Sequence, residues 1–427
     1  MLDISDFRDH ANVIKEDHDK RGLPHDKINE VITLDEEWRK AVYEQNVARK
    51  KRNDSAKLIS DAKKSGNNEK MKSLLDDVKD LGNQIEEYDK LANNLKEKRD
   101  AIRMSIPNIL HKSVPRGDDE EGNSLHSEFG KKPNFPFEPR THNELLEMNN
   151  WAELPRAAKI TGSRFYFLKG DLARLEMALQ SYSVDFMMKK DFTLMHPPTM
   201  MNRKAYEGVT DLGDFETVMY GVEPDGYYMI ATSEHPLTAM YMDEIIEPSL
   251  LPIKLVGVSP CFRREVGAHG QADKGIWRVH QFTKIEQIII SLPDDSWDHH
   301  ESMLENCIEL WNALGIHYRV VNICTGDMGT VASRKYDLEA WLPGPKEYKE
   351  IVSCSNCTDY QANRLRMRYR TADGNSAVHT LNSTAVATSR ALVAIMEQNQ
   401  LEDGRINIPE VLQSYMGGQK ILEPAPF

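Results

Sequence analysis

The chain has 427 residues, 40% of them hydrophobic and 28% charged, and carries a formal net charge of −13. That length allows two or more domains, and the composition is that of a globular protein rather than a disordered or fibrous one. No apolar run approaches the ~20 residues a membrane-spanning helix needs. A net acidic chain can meet nucleic acid only through local basic patches. The start, Met1-Leu2-Asp3-Ile4-Ser5-Asp6-Phe7-Arg8, lacks the basic-then-apolar order of a secretory signal. Five cysteines are few and odd in number, which fits reduced thiols and a cytoplasmic location. Cys354-x-x-Cys357 has metal-like spacing, but no second pair accompanies it, so these cysteines are read as structural.

Residues 31–104 stand apart from the rest. From Leu74, positions 74, 78, 81, 85, 88, 92, 95, 99 and 102 hold Leu, Val, Leu, Ile, Tyr, Ala, Leu, Arg and Ile. Steps of four and three are the heptad seam of a left-handed coiled coil. Upstream, Leu34, Trp38, Ala41, Gln45, Ala48, Arg52, Ser55 and Ile59 keep the same rhythm. Lys64-Ser65-Gly66-Asn67-Asn68 between them reads as a helix stop and turn. The pattern predicts an antiparallel hairpin with its tip near 64–68 and helices of about 45 Å or more. Pro107 and Pro115 end it, giving an arm over 1–112 and a second domain over 113–427. Residues 31–104 balance to +2, leaving −15 elsewhere, and 49–72 alone holds nine basic and three acidic residues. A basic tip on an acidic protein suits a phosphate backbone.

Beyond residue 120 the reading is α+β. A helix is predicted over 171–188 and a strand over 192–196, ended by Pro197-Pro198. Apolar, β-rich segments recur at 226–232, 253–262, 276–291, 317–323 and 349–354, with helices at 234–246 and 296–313. Hairpin-linked strands with helices set apart favour an antiparallel sheet. Neither a Walker A sequence nor Gly-x-Gly-x-x-Gly is present, which leaves P-loop and Rossmann sites unsupported.

One hairpin stands out. Cys261-Phe262-Arg263-Arg264-Glu265 leads into a loop with Gly267, Gly270 and Gly275, and a strand from Trp277 to Ile290 returns. Arg278, His280, Phe282, Lys284 and Glu286 alternate along it and so share one face. Such a face fits either a solvated hairpin or a nucleotide, with arginine for phosphate, a ring for the base and a carboxylate for an ammonium group. Arg364, Arg366, Arg368 and Arg370 also alternate, as an exposed sheet face or a contact for an RNA end, and His299-His300 reads as a solvated helix surface.

In order along the chain come the helical arm, Pro197-Pro198, Ala231-Thr232-Ser233-Glu234, the Arg263–Glu286 hairpin, Tyr336-Asp337-Leu338-Glu339-Ala340-Trp341, Glu350-Ile351-Val352-Ser353 and Leu381 to Arg390. This series resembles the seryl-tRNA synthetases, class II aminoacyl-tRNA synthetases, over essentially the full length. The resemblance implies that L-serine attacks the α-phosphate of ATP to give seryl-adenylate. The seryl group then passes to tRNA(Ser), and to tRNA(Sec) where one exists. It implies catalysis by Arg263 and Arg390, and an ATP site of Arg263, Arg264, Glu265, Arg278, Val279, Phe282, Glu350, Ile351, Val352, Ser353 and Arg390. Glu350 and Ser353 would serve Mg²⁺ bound with ATP, although their opposite strand parity requires a bulge or a backbone contact. Serine would meet Thr232, Ser233, Glu234, Arg263, Glu286 and Thr384, with Ser383 the alternative to Thr384. The chain has Thr232-Ser233-Glu234 where the family often has Thr-Ala-Glu, and Asn382-Ser383-Thr384-Ala385 where it often has Asn-Gly-Ser-Gly. A homodimer built around Met195–Pro198 is likewise implied by the resemblance.

Overall fold

The structure is a computed structural model that describes residues 1–211, 213, 217–266 and 275–426, so Gly267 and Gly270 lie outside the described residues. Two compact units emerge, Leu2–Pro107 and, together with Met1, Asn108–Phe427.

The first unit comprises α1 (Ile4–Asp9), α2 (Ala11–Lys20), α3 (Asp26–Lys64) and α4 (Asn68–Met104). The two long helices form a hairpin, and α3 alone runs to ~58 Å at 1.5 Å per residue. Gly66 takes φ +72° in the turn, a conformation glycine adopts without strain. Asn67 then caps α4 by accepting the Lys70 N–H at 3.1 Å. Every α4 position of the predicted seam, from Leu74 to Ile102, is buried or half-buried, whereas Arg52 on α3 is exposed. The seam is polar at its base. Asp35 is buried and meets Arg8 Nε and Arg99 Nη1, each at 2.7 Å, and Arg39 Nε at 3.2 Å. Burial pushes the Asp35 carboxyl up, but the Arg8 and Arg99 hydrogen bonds outweigh it and hold the group below its usual 3.8.

That depression makes Asp35 a stabilising group above pH 3.8, with the contribution lost as pH falls through the folded-state value. Asp35→Ala removes the buried carboxylate that Arg8 and Arg99 share, leaving Arg99 only Asp100 at 2.9 Å, and is expected to destabilise the hairpin by about 3 kcal/mol. Hydrogen exchange of the α3 and α4 amides in the intact chain should report the loss of protection. Wild-type protection in the variant would refute this role.

The second unit is organised on an eight-stranded sheet. In chain order its strands are β1 (Ser124–Phe129), β2 (Thr193–Met195), β3 (Ile253–Phe262), β4 (Gln281–Ser291), β5 (Tyr318–Asn322), β6 (Arg334–Leu342), β7 (Glu347–Asn356) and β8 (His379–Ala387). Their spatial order is β1-β5-β6-β7-β8-β4-β3-β2, antiparallel except for the parallel β2–β3 pair. Pro260 is tolerated inside β3 because β2 ends opposite Gly257, leaving no outer partner for the missing N–H. One face of the sheet is covered by the helices Gly170–Met188, Ser296–Ala313 and Thr388–Gln398, which share the main core with Ile285, Ile289 and Val352. On the other face, Ile288 and Ile290 join two smaller clusters with Leu237 and Leu365. Between those clusters and the ends of the strands the second face stays open.

Candidate active site

A cavity of about 480 Å³ occupies that open face. Lys284 and Glu286 reach it from β4 because residues two apart on a strand share a side. They form a buried ion pair, Nζ to Oε2 at 2.7 Å. On β8, Thr384 stands opposite Glu286 and donates its hydroxyl to the same Oε2 at 3.2 Å. Ser383 points to the other face, where it is fully buried with its Oγ 3.3 Å from Cys307 Sγ. Thr384, not Ser383, therefore lines the cavity.

The second carboxylate, Glu234, opens a short helix, Glu234–Ala239. Thr232 Oγ1 accepts the Glu234 N–H at 3.1 Å, and both residues line the cavity. Glu234 Oε1 accepts from Gln361 Nε2 at 2.9 Å and from Asn382 Nδ2 at 3.0 Å. Burial and the nearby Glu286 push its carboxyl up to about 7, against the pull of Lys284, Gln361 and Arg263. Ser233 is turned away. It is fully buried, its hydroxyl has no partner among the described residues, and it packs on Gly257, where an added Cβ would fall 2.5 Å from Ser233 Oγ.

Arg263 follows the end of β3. Its Nε donates to the Ala231 carbonyl at 3.3 Å, and its guanidinium lies 5.4 Å from the Phe282 ring centre. The Arg263 N–H donates to the His280 carbonyl at 3.0 Å, and His280 Nδ1 donates back to the Arg263 carbonyl at 2.7 Å. His280 thus supports the arginine. The returning strand begins at Gln281 rather than Trp277, because Ile276, Trp277 and Val279 turn into the main core. Arg278 and His280 consequently precede the pleat, and Arg278 faces Glu265 at 3.6 Å.

Glu350 and Ser353 both line the cavity despite their parity. In β7, Val352 pairs with Leu338 and Glu350 with Glu339, so Ile351 is an extra residue. This bulge buries Ile351 and Val352 in succession and turns Glu350 and Ser353 to one side. Arg390 is the third residue of the helix Thr388–Gln398. Its Nη1 donates to the Glu350 carbonyl at 2.9 Å and lies 3.2 Å from Oε1. Burial pushes Glu350 up, but Arg390, Lys335 and Arg263 outweigh it and hold the carboxyl below its ordinary range. A second cavity, about 360 Å³, is lined by Arg390, Arg278 and Trp277 and again by Glu350. Glu350 is therefore the wall between an Arg263 side and an Arg390 side.

Of the remaining predicted residues, Val279, Ile351 and Val352 are core, and Arg264, Glu265 and Phe282 line neither cavity. Lys284, Asn382, Gln361 and Lys335 were missed. Lys284 could have been included, since the alternation already places it on the Glu286 face. Gln361 had no signal, because no element is predicted for its helix, Tyr360–Leu365. The helix includes Arg364, which breaks the alternating arginine face expected from Arg364 to Arg370. Arg364 donates to the Thr210 carbonyl at 2.5 Å, Arg366 pairs with Asp243, and Arg370 meets Glu247 at 3.0 Å. Only Arg368–Thr371 is strand. His300, expected on a solvated surface, is fully buried. Its Nε2 donates to the Cys354 carbonyl at 3.1 Å, and burial pushes its pKa down to about 4.

An antiparallel sheet with one arginine at a strand end and another at the start of the helix behind it defines a class II aminoacyl-tRNA synthetase core. Residues 220–399 match the tRNA synthetase class II core domain (G, H, P, S and T), and residues 1–110 match the seryl-tRNA synthetase N-terminal domain. The chain is 49% identical to the serine–tRNA ligase of Methanocorpusculum labreanum, covering 99% of this chain and 100% of that one. Among solved structures it is similar to seryl-tRNA synthetase from Pyrococcus horikoshii complexed with ATP, with 43% identity, TM-score 0.95 and full coverage of both chains. The cytoplasmic serine–tRNA ligase from Naegleria fowleri in complex with AMP follows at 34% identity and TM-score 0.89, over 99% of each chain. The chain belongs to the seryl-tRNA synthetase family.

Proposed function

We propose that this enzyme activates L-serine with ATP and transfers the seryl group to tRNA(Ser), with the amino acid held between Glu234 and Glu286 and the triphosphate along Arg263, Glu350 and Arg390. The observation that carries this reading is the adjacency of the two sites: an acidic cavity and an arginine-lined one share a single wall, Glu350. Glu234 and Glu286 offer carboxylates for the serine ammonium, and Thr232 and Thr384 offer hydroxyls. A site that hydrogen-bonds a substrate hydroxyl rejects alanine strongly, because its own polar groups are then left unpaired. Arg263, a planar and permanently charged fork, spans the serine carboxylate and the α-phosphate where attack occurs. Charge accumulates at phosphorus in that step, so fixed guanidinium groups contribute more than any proton transfer. Arg390 meets the distal phosphates with the start of its helix acting in the same sense.

Glu350 and Ser353 suit Mg²⁺ through hard oxygen atoms turned to one side by the bulge, one of them on a carboxylate held ionised. Bound there with ATP, Mg²⁺ would neutralise phosphate charge. The nine basic side chains over 49–72 are all exposed, and they give the hairpin a surface for an RNA backbone. Among the described residues no helix is long and apolar enough to cross a membrane. We place the enzyme in the cytoplasm because its five cysteines are all free thiols, as a reducing compartment keeps them. β2, at the sheet edge, and the following Pro197-Pro198 form the proposed homodimer contact.

Serine-dependent ATP–pyrophosphate exchange tests the reading, with threonine, alanine, glycine and cysteine as competitors. Deleting 31–104 should leave exchange intact and abolish tRNA charging; unimpaired charging would refute the arm's role. Arg263→Lys should slow exchange on the order of 100-fold or more, and a near-normal rate would remove Arg263 from catalysis. Because Glu234 sits near 7, an ammonium ligand should displace its proton, so serine affinity should rise between about pH 6 and 8. Calorimetry at pH 6.5 in buffers of differing ionisation heat should register proton release on binding. Glu234→Gln should remove it.

A further inference from the structure

The segment carrying Thr232 and Glu234 is anchored at both ends by one side chain that belongs to neither the sheet nor the cavity rim. Tyr206, on the helix Arg203–Glu207, is fully buried. Its hydroxyl accepts the Ala231 N–H at 3.0 Å and lies 2.9 Å from His235 Nδ1. Ala231 immediately precedes Thr232, and His235 immediately follows Glu234, so both attachments bracket the three residues between them. With its lone pair taken by Ala231, the hydroxyl has one proton to give. The His235 nitrogen at 2.9 Å is nearer than the Met229 carbonyl at 3.4 Å. His235 must then be the tautomer with Nδ1 unprotonated. Burial, with Lys284 and Arg263 nearby, pushes its pKa down to about 3 and keeps it neutral. The rings meet edge to face, centroids 4.9 Å apart. Ser233 packed against Gly257 fixes the middle of the segment.

We propose that the Tyr206 hydroxyl, held between the Ala231 N–H and His235 Nδ1, clamps Thr232 and Glu234 in register for the amino acid, making Tyr206 and His235 positioning residues for serine binding. The inference rests on the serine-activating reading above. Losing the hydroxyl leaves a buried N–H and a buried ring nitrogen unpaired and frees both ends of the segment. Of the proposed ATP contacts only Arg263 touches this segment, through the Ala231 carbonyl at 3.3 Å; Glu350 and Arg390 lie on other elements.

Serine-dependent ATP–pyrophosphate exchange on the full-length enzyme provides the test. Tyr206→Phe should raise KM for serine by about 10- to 100-fold while KM for ATP stays within about twofold. His235→Leu should match it. His235→Asn, whose Oδ1 can accept the phenol proton in place of Nδ1, should restore most of the serine affinity. The double variant Tyr206→Phe with His235→Leu should be scarcely worse than either single change, because the two act as a unit. If Tyr206→Phe does not fold, the Leu and Asn variants of His235 carry the comparison alone. A wild-type KM for serine in Tyr206→Phe, an equal rise in both KM values, or His235→Asn as poor as His235→Leu would each overturn the clamp. Absence of serine-dependent exchange in the unsubstituted enzyme would overturn the functional reading itself.

Discussion

A lysine and a glutamate two residues apart on a central strand, both removed from water, set the electrostatics of the pocket. Lys284 and Glu286 are 7% and 2% exposed. Desolvating two charges is expensive and is repaid only when the remaining lone pairs are satisfied; the Thr384 hydroxyl supplies one such bond. The pair also governs Glu234. Two carboxylates in one small cavity repel, and with Lys284 paired to Glu286, burial and that repulsion outweigh the pull of Lys284 and Arg263 and keep Glu234 near neutrality. A cationic substrate would complete that balance. The pocket is thus short of one positive charge until the amino acid arrives.

The same logic separates the two cavities. In the first cavity Thr232, Glu286 and Thr384 are buried, which favours discrimination through hydrogen bonds. On the Arg390 side, Arg278, Arg319 and Arg390 line the cavity together with glutamates, and the guanidinium groups suit a polyanion. Glu350 takes part in both. Its backbone and carboxylate hold Arg390, while Lys335 and Arg263 draw on its charge from the first cavity.

Much of this was legible in the residues. The steps of four and three predicted the hairpin because few seams other than a coiled coil demand that spacing. The strand over 253–262 and the helix over 296–313 emerged with those bounds, since apolar alternation and amphipathic spacing were unambiguous there. The failures have physical causes. Trp277 and Val279 have strand-like composition, but a core position for each bends the backbone off the pleat. The alternating arginines from Arg364 to Arg370 mimic a period of two, yet Asp243, Glu247 and backbone carbonyls around Thr210 capture them one by one. His300 looked polar on a helix, whereas a carbonyl from the facing strand accepts its Nε2–H inside the core. Tertiary partners decided each case, and a one-dimensional pattern contains none of them.

The extra residue at Ile351 has one more implication. It acts as a phase shift: positions on its two sides belong to different alternations of the same strand. Straightening the bulge with every residue kept would leave length, composition and hydrophobicity unchanged, yet it would drive Glu350 and Ser353, three positions apart, to opposite faces. The two would then no longer line one cavity, so the backbone irregularity matters to this wall as much as the identity of its residues.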